Sequence, residues 1–225
     1  MKKTRLIRAF IDDSKRAGLA IQAMQMSAGS AASLNPQPEI SWFAETAAEI
    51  GLASGKASLA RRWLTLVAGP DQTANTGLGH WLALADIAEP DPANKEQYLN
   101  EVETLALRGR FTPDALHRLA TVMDALNYNV PIPLWEAASR TPQPNTGHLP
   151  ATGVLSELQD ASKKKEFGRT VLLAMKSLGP DGAEGAHIIA LGDSIRALKR
   201  AGLENDARRL GLEALLAAWP RSPAN

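Results

Sequence analysis

The sequence contains no cysteine. Disulfides, thiolate metal sites and cysteine nucleophiles are therefore excluded, although a chain without disulfides suits either redox environment. Aromatic residues make up only 5% of the chain, and alanine and leucine fill the apolar positions instead. Those two residues lose little side-chain freedom in a helix, while the β-branched and aromatic residues that favour strands are scarce. Neither sign of charge dominates: 25 basic residues against 24 acidic ones leave a formal net charge of +1. That balance gives no polyanion-binding footprint, which needs a concentrated basic face. No apolar run approaches the roughly 20 residues of a membrane-spanning helix. The basic start, Met1-Lys2-Lys3-Thr4-Arg5, leads into a segment interrupted by Arg8, Asp12 and Asp13, so it does not read as a secretion signal. On this basis a cytoplasmic location is expected, unless the chain is part of a longer protein whose targeting signal lies upstream.

What is present is helical patterning. Apolar residues recur at steps of three and four through Leu78, Trp81, Leu82 and Ala85, and through Leu116, Leu119, Ala120, Met123 and Leu126. The same spacing runs through Ile188, Leu191, Ile195 and Leu198, and through Ala207, Leu210, Ala214 and Leu215. Thr112-Pro113-Asp114 is a well-formed helix start, with a capping hydroxyl, a proline at the first position and an acid in the first turn. Asp91-Pro92 repeats that scheme, and Asp181 to Glu184 resembles a capping box. Stops fall at Gly69-Pro70, Glu89-Pro90, Gly179-Pro180 and Trp219-Pro220, because proline cannot continue a helix. The expected fold is all-α, about ten helices joined by short turns into stacked antiparallel hairpins. One break follows the first helix at Leu34 to Glu39. A longer polar one at 141–152 is read as a surface loop, or as a boundary between two lobes of a single domain spanning 1–225.

Two stretches resemble each other. In Ala44 to Pro70, Gly55 is followed five residues later by Ala60; in Leu191 to Pro220, Gly202 is followed at the same interval by Ala207. A turn glycine followed by an alanine that lets two helices approach resembles the tetratricopeptide-repeat hairpin. The resemblance implies an irregular α-solenoid, since the family's Trp, Leu-Gly and Tyr set along the first helix is absent from both stretches. It also implies an extended binding face for another protein or peptide.

Three features of the sequence resemble chemistry-bearing patterns. Gly192-Asp193-Ser194 resembles the nucleophile block of the lipase/esterase family, in which a serine works with a histidine of an Asp-x-x-His block. Here the string lies late in the chain, on a helical apolar run, where that family's follows an early strand. Gly51 to Ala57 looks like a phosphate loop, yet it has three residues between its glycines and alanine after the lysine. His80, His117, His148 and His187 stand far apart in sequence, with His117 and Arg118 expected on a solvent-facing side and His148 in the long loop. Two basic clusters, Lys2 to Arg16 and Lys163-Lys164-Lys165 with Arg169, are interleaved with acids and read as solvated helix faces. Five tryptophans, Trp42, Trp63, Trp81, Trp135 and Trp219, are expected to pack between hairpins, with one or two open to a partner.

The expectation is a non-enzymatic helical scaffold for protein–protein interaction, with no cofactor and with catalytic, metal and partner-binding residues left unassigned. The alternative is an all-α enzyme or small-molecule-binding domain whose site converges from distant positions. A nucleic-acid-binding helical domain ranks below both.

Overall fold

In a computed structural model of the chain, the described residues are 1–68, 78–90 and 99–221. They hold thirteen α-helices and one 3-10 helix, and among them there is no strand. The helix stop at Gly69-Pro70 and the start at Asp91-Pro92 lie outside the described residues. Two compact units are distinguished: Met1–Val102 together with Arg221–Asn225, and Glu103–Pro220. The loop at 141–152 falls inside the second unit, and the division between units runs at 102/103.

The first unit opens with α1, Lys2–Arg16, and α2, Ala20–Ala32. The segment read as one helix before Leu34 is thus two, because Gly18 takes a left-handed φ of 73° between them. α1 buries Thr4, Ile7 and Ile11, one side at helical spacing. The break after α2 contains a 3-10 helix, Pro38–Phe43, which leads into α3, Ala44–Ala53. α4, Ala57–Ala68, and α5, Gly79–Ala88, follow. Packing is sequential: α1 lies on α2, α2 on α3, α3 on α4 and α4 on α5. Gly55 turns the chain between α3 and α4 with φ 65°, and Ala60 is wholly buried. A side chain at Gly51 would meet the backbone of Lys56 and Ala60 at 2.9 Å, so glycine is what lets these two helices approach. The buried carboxylate of Glu49 gathers Lys15 at 3.1 Å and Arg221, tying α1 and Arg221 to α3.

α6, Leu99–Leu107, runs across the division. The second unit then holds α7, Pro113–Ala125, α8, Ile132–Ser139, α9, Val154–Lys163, and α10, Phe167–Leu178. The one-turn α11, Gly182–Gly185, precedes α12, Ile188–Ala201, and α13, Glu204–Leu216. α7 begins as its sequence dictates, with the Thr112 hydroxyl accepting from the N–H of Ala115 at 3.3 Å. α11 does not form the capping box: Asp181 makes no side-chain cap bond there. α12 lies at the centre, against α7, α9, α10 and α13. A side chain at Gly192 would meet Thr121 at 3.0 Å, and one at Gly211 would meet Val122 at 2.8 Å, so both glycines bring their helices close to α7. Gly202 turns α12 into α13 with φ 96°, and Ala207 beyond it is wholly buried.

Candidate functional site

The catalytic resemblances dissolve on geometry. Ser194 is fully buried in α12, with no hydrogen-bond partner for its hydroxyl among the described residues. Asp114 and His117 on α7 do stand at Asp-x-x-His spacing. Gly192 faces Thr121 of that helix, however, and two residues further on a helix is about 200° round, so Ser194 turns away from α7. His117 instead meets the Thr141 hydroxyl at 3.1 Å, and Asp114 accepts from Arg118 at 2.8 Å. Gly51 to Ala57 spans the end of α3, a turn and the start of α4.

The other histidines are structural in their settings. His80 is buried beside Trp81 in α5. The ring of His187 accepts from the N–H of Ile189 at 3.3 Å and so caps α12. His148 is exposed as expected, but its backbone pairs with residues 185–187: its N–H donates to Gly185 at 2.8 Å, and its carbonyl accepts from His187 at 3.0 Å. Among the described residues no group of three or more His, Asp or Glu side chains is placed to hold a metal ion.

Arg118 corrects the expectation of a solvent-facing position. It is only 5% exposed, and besides Asp114 it donates to the carbonyls of Ala183 at 2.9 Å and Ala186 at 3.0 Å. Its role is to hold α11 and the residue after it against α7. Partial burial raises the pKa of Glu101, and the N–H of Gly79, at the start of α5, works against that rise by donating to it.

What remains is a surface groove in the first unit. Arg5, Arg8, Ala9 and Asp12 occupy the side of α1 next to its buried face, and Trp42 closes the groove from the 3-10 helix. Phe43 turns inward, where it packs edge-on against Trp63 at 5.3 Å; Trp42, its neighbour, is turned outward and stays 38% exposed. The open volume is about 360 Å³. Arg8 sits over the Trp42 ring at 5.7 Å, a cation–π arrangement that holds the guanidinium in place while leaving its N–H groups largely free. Its pairing with Asp12 is loose, at 4.0 Å between exposed groups. Arg5, one turn earlier, has no side-chain partner among the described residues. The groove thus offers two guanidinium groups about one helical turn apart, a flat apolar wall, and a single carboxylate at one end.

The sequence shows a basic first helix, read as a solvated face, and five tryptophans of which one or two are expected to be open to a partner, without singling out Trp42. It does not show the meeting of Trp42 with that helix, which the intervening turn at Gly18 and the 3-10 helix create. Trp135 is the second half-exposed tryptophan, on α8, while Trp63, Trp81 and Trp219 are buried. No helix among the described residues is long and apolar enough to cross a membrane. In comparisons with known proteins, no family model matches the chain, and neither a curated protein nor a solved structure matches it.

Proposed function

We propose that this chain is a non-enzymatic helical scaffold that binds an acidic segment of another protein in the Arg5–Arg8–Trp42 groove. The observation that carries the reading is the groove itself, a shallow, open depression lined by two guanidinium groups and an exposed indole. Tryptophan and arginine are the side chains most enriched at binding hot spots. Guanidinium groups recognise carboxylates by paired hydrogen bonds, and the indole supplies apolar area at little entropic cost. Asp12 gives the groove a direction, since it repels a carboxylate at its own end. Asp12 and Asp13 also interrupt the basic face, which argues against a nucleic-acid backbone as occupant.

The sequential packing of α1 through α5 supports an irregular α-solenoid in the first unit, with the α3–α4 and α12–α13 hairpins as tetratricopeptide-like elements. The second unit, gathered around α12, departs from nearest-neighbour stacking.

Panning a random-peptide display library on the full chain tests the binding site. Enriched peptides are expected to carry carboxylates beside an aromatic or apolar residue, and their affinity should fall with salt. The double substitution Arg5→Glu/Arg8→Glu should weaken them about tenfold or more, roughly 1.4 kcal/mol, while Asp12→Asn tightens them. Circular dichroism should be unchanged in these variants, because the substituted side chains do not contribute to the core. Enrichment that ignores both arginines would sink the reading.

A further inference from the structure

In the second unit, α10 is apolar over more of its circumference than it buries. Thr170, Leu173, Ala174, Ser177 and Leu178 face inward. Phe167, Val171 and Met175, at steps of four, form a second stripe with Leu172 beside it, and all four are exposed. Leu172 and Met175 are 68% and 62% exposed, unusually open for apolar residues at the middle of a helix. Gly168 lies within this stripe, and a side chain there would meet nothing within 4 Å, so the backbone is open to solvent at that point.

The two ends of the stripe differ in charge, and the face between them also carries Arg169, paired with Glu157 and Glu166, and Lys176 in the last turn of α10. Lys163, Lys164 and Lys165 stand just before α10, and the last two have no side-chain partner among the described residues. Asp181 and Glu184 stand just after it, exposed and likewise without side-chain partners among the described residues. With lysines at one end, apolar residues in the middle, and two acids outnumbering Lys176 at the other, the surface is complementary to itself when turned through a two-fold axis. An antiparallel mate centred near Val171 sets Phe167 of one copy opposite Met175 of the other, a favourable sulfur–aromatic contact. It also brings the lysine cluster of each copy to the acidic end of its mate. An anionic bilayer would meet Asp181 and Glu184 along with the lysines, which disfavours a membrane surface as the occupant.

We infer that the α10 face is an isologous, antiparallel interface with a second copy of this chain. The helix face is about 18 Å long, at the small end for a stable interface, so association in the micromolar range is expected.

Sedimentation equilibrium of the full chain over a wide concentration series should show a reversible monomer–dimer equilibrium. Leu172→Asp should weaken dimerisation at least about tenfold without changing circular dichroism, since the side chain is exposed. Two charge reversals supply the discriminating measurement. Lys164→Glu/Lys165→Glu and Asp181→Lys/Glu184→Lys should each abolish self-association, because like charges then meet at both ends. Mixed together, the two variants should form a one-to-one heterodimer, in which both ends are again opposed correctly. A wild-type chain that stays monomeric throughout would overturn the inference, as would a dimer indifferent to Leu172→Asp or a mixture that fails to associate. Monomeric protein whose α10 face binds phosphatidylserine vesicles in a Leu172-dependent manner would assign the face to a membrane instead.

Discussion

Arg118→Ala is expected to destabilise the second unit by about 2–4 kcal/mol, far more than any exposed charge in the chain. The reason lies in what its guanidinium reaches. Two of its nitrogens donate to the carbonyls of Ala183 and Ala186, residues that are wholly buried. Removing the donor leaves both acceptors without that partner in a region from which water is excluded, and each such loss to a charged donor is worth about 1.5–3 kcal/mol. Part of that cost is offset, because the guanidinium no longer has to be desolvated. Asp114, 45% exposed at its side chain, can be rehydrated and contributes little to the total. Arg118→Lys should recover only a minority of the loss, since an ammonium cannot span two carbonyls that a planar fork reaches together. Urea denaturation followed by circular dichroism gives the magnitude, and amide exchange at residues 183–187 gives the location. A loss below about 1 kcal/mol for alanine would mean that the arginine behaves as a surface ion pair.

Arg118 also shows where reading the sequence stops. The all-α fold is legible because it is set locally: Leu116, Leu119, Ala120, Met123 and Leu126 follow helical spacing, and all five are buried. Thr112-Pro113-Asp114 announces the start of that helix at Pro113, through groups that a helix N-terminus satisfies. Arg118 sits between Leu116 and Leu119, where a charged side chain reads as solvent-facing. Its two carbonyl partners are 65 and 68 residues away, beyond any local pattern. The split between α1 and α2 was hidden for a related reason: Gly18 stands without a proline, and an isolated glycine is tolerated inside many helices. The groove follows the same division. Arg5 and Arg8 announce a basic helix face, and Trp42 announces an aromatic beyond the turn. Only the 3-10 geometry of Pro38–Phe43 decides that Trp42 points outward while Phe43 points in.

The two buried tryptophans of the first unit should respond differently to one substitution. Trp63 and Trp81 are both 0% exposed, so replacing either by alanine is expected to cost about 3–5 kcal/mol through lost burial and the cavity left behind. Phenylalanine keeps much of the volume and isolates the indole N–H. That of Trp81 donates to the Glu45 carboxylate at 3.1 Å, whereas that of Trp63 has no partner among the described residues. Trp81→Phe therefore loses a hydrogen bond to a charged acceptor, worth about 1.5–3 kcal/mol. Trp63→Phe removes a polar group whose burial was uncompensated, and that relief offsets part of the lost ring volume. The edge-on contact of Trp63 with Phe43, at 5.3 Å, can be kept by a phenyl ring. Chemical denaturation should accordingly rank Trp63→Phe as the milder change, by about 1 kcal/mol or more. In a Glu45→Gln background the gap should narrow, since the acceptor opposite Trp81 is then neutral. Equal costs for the two phenylalanine variants in both backgrounds would show that ring volume, not the indole hydrogen bond, sets the stability of this core.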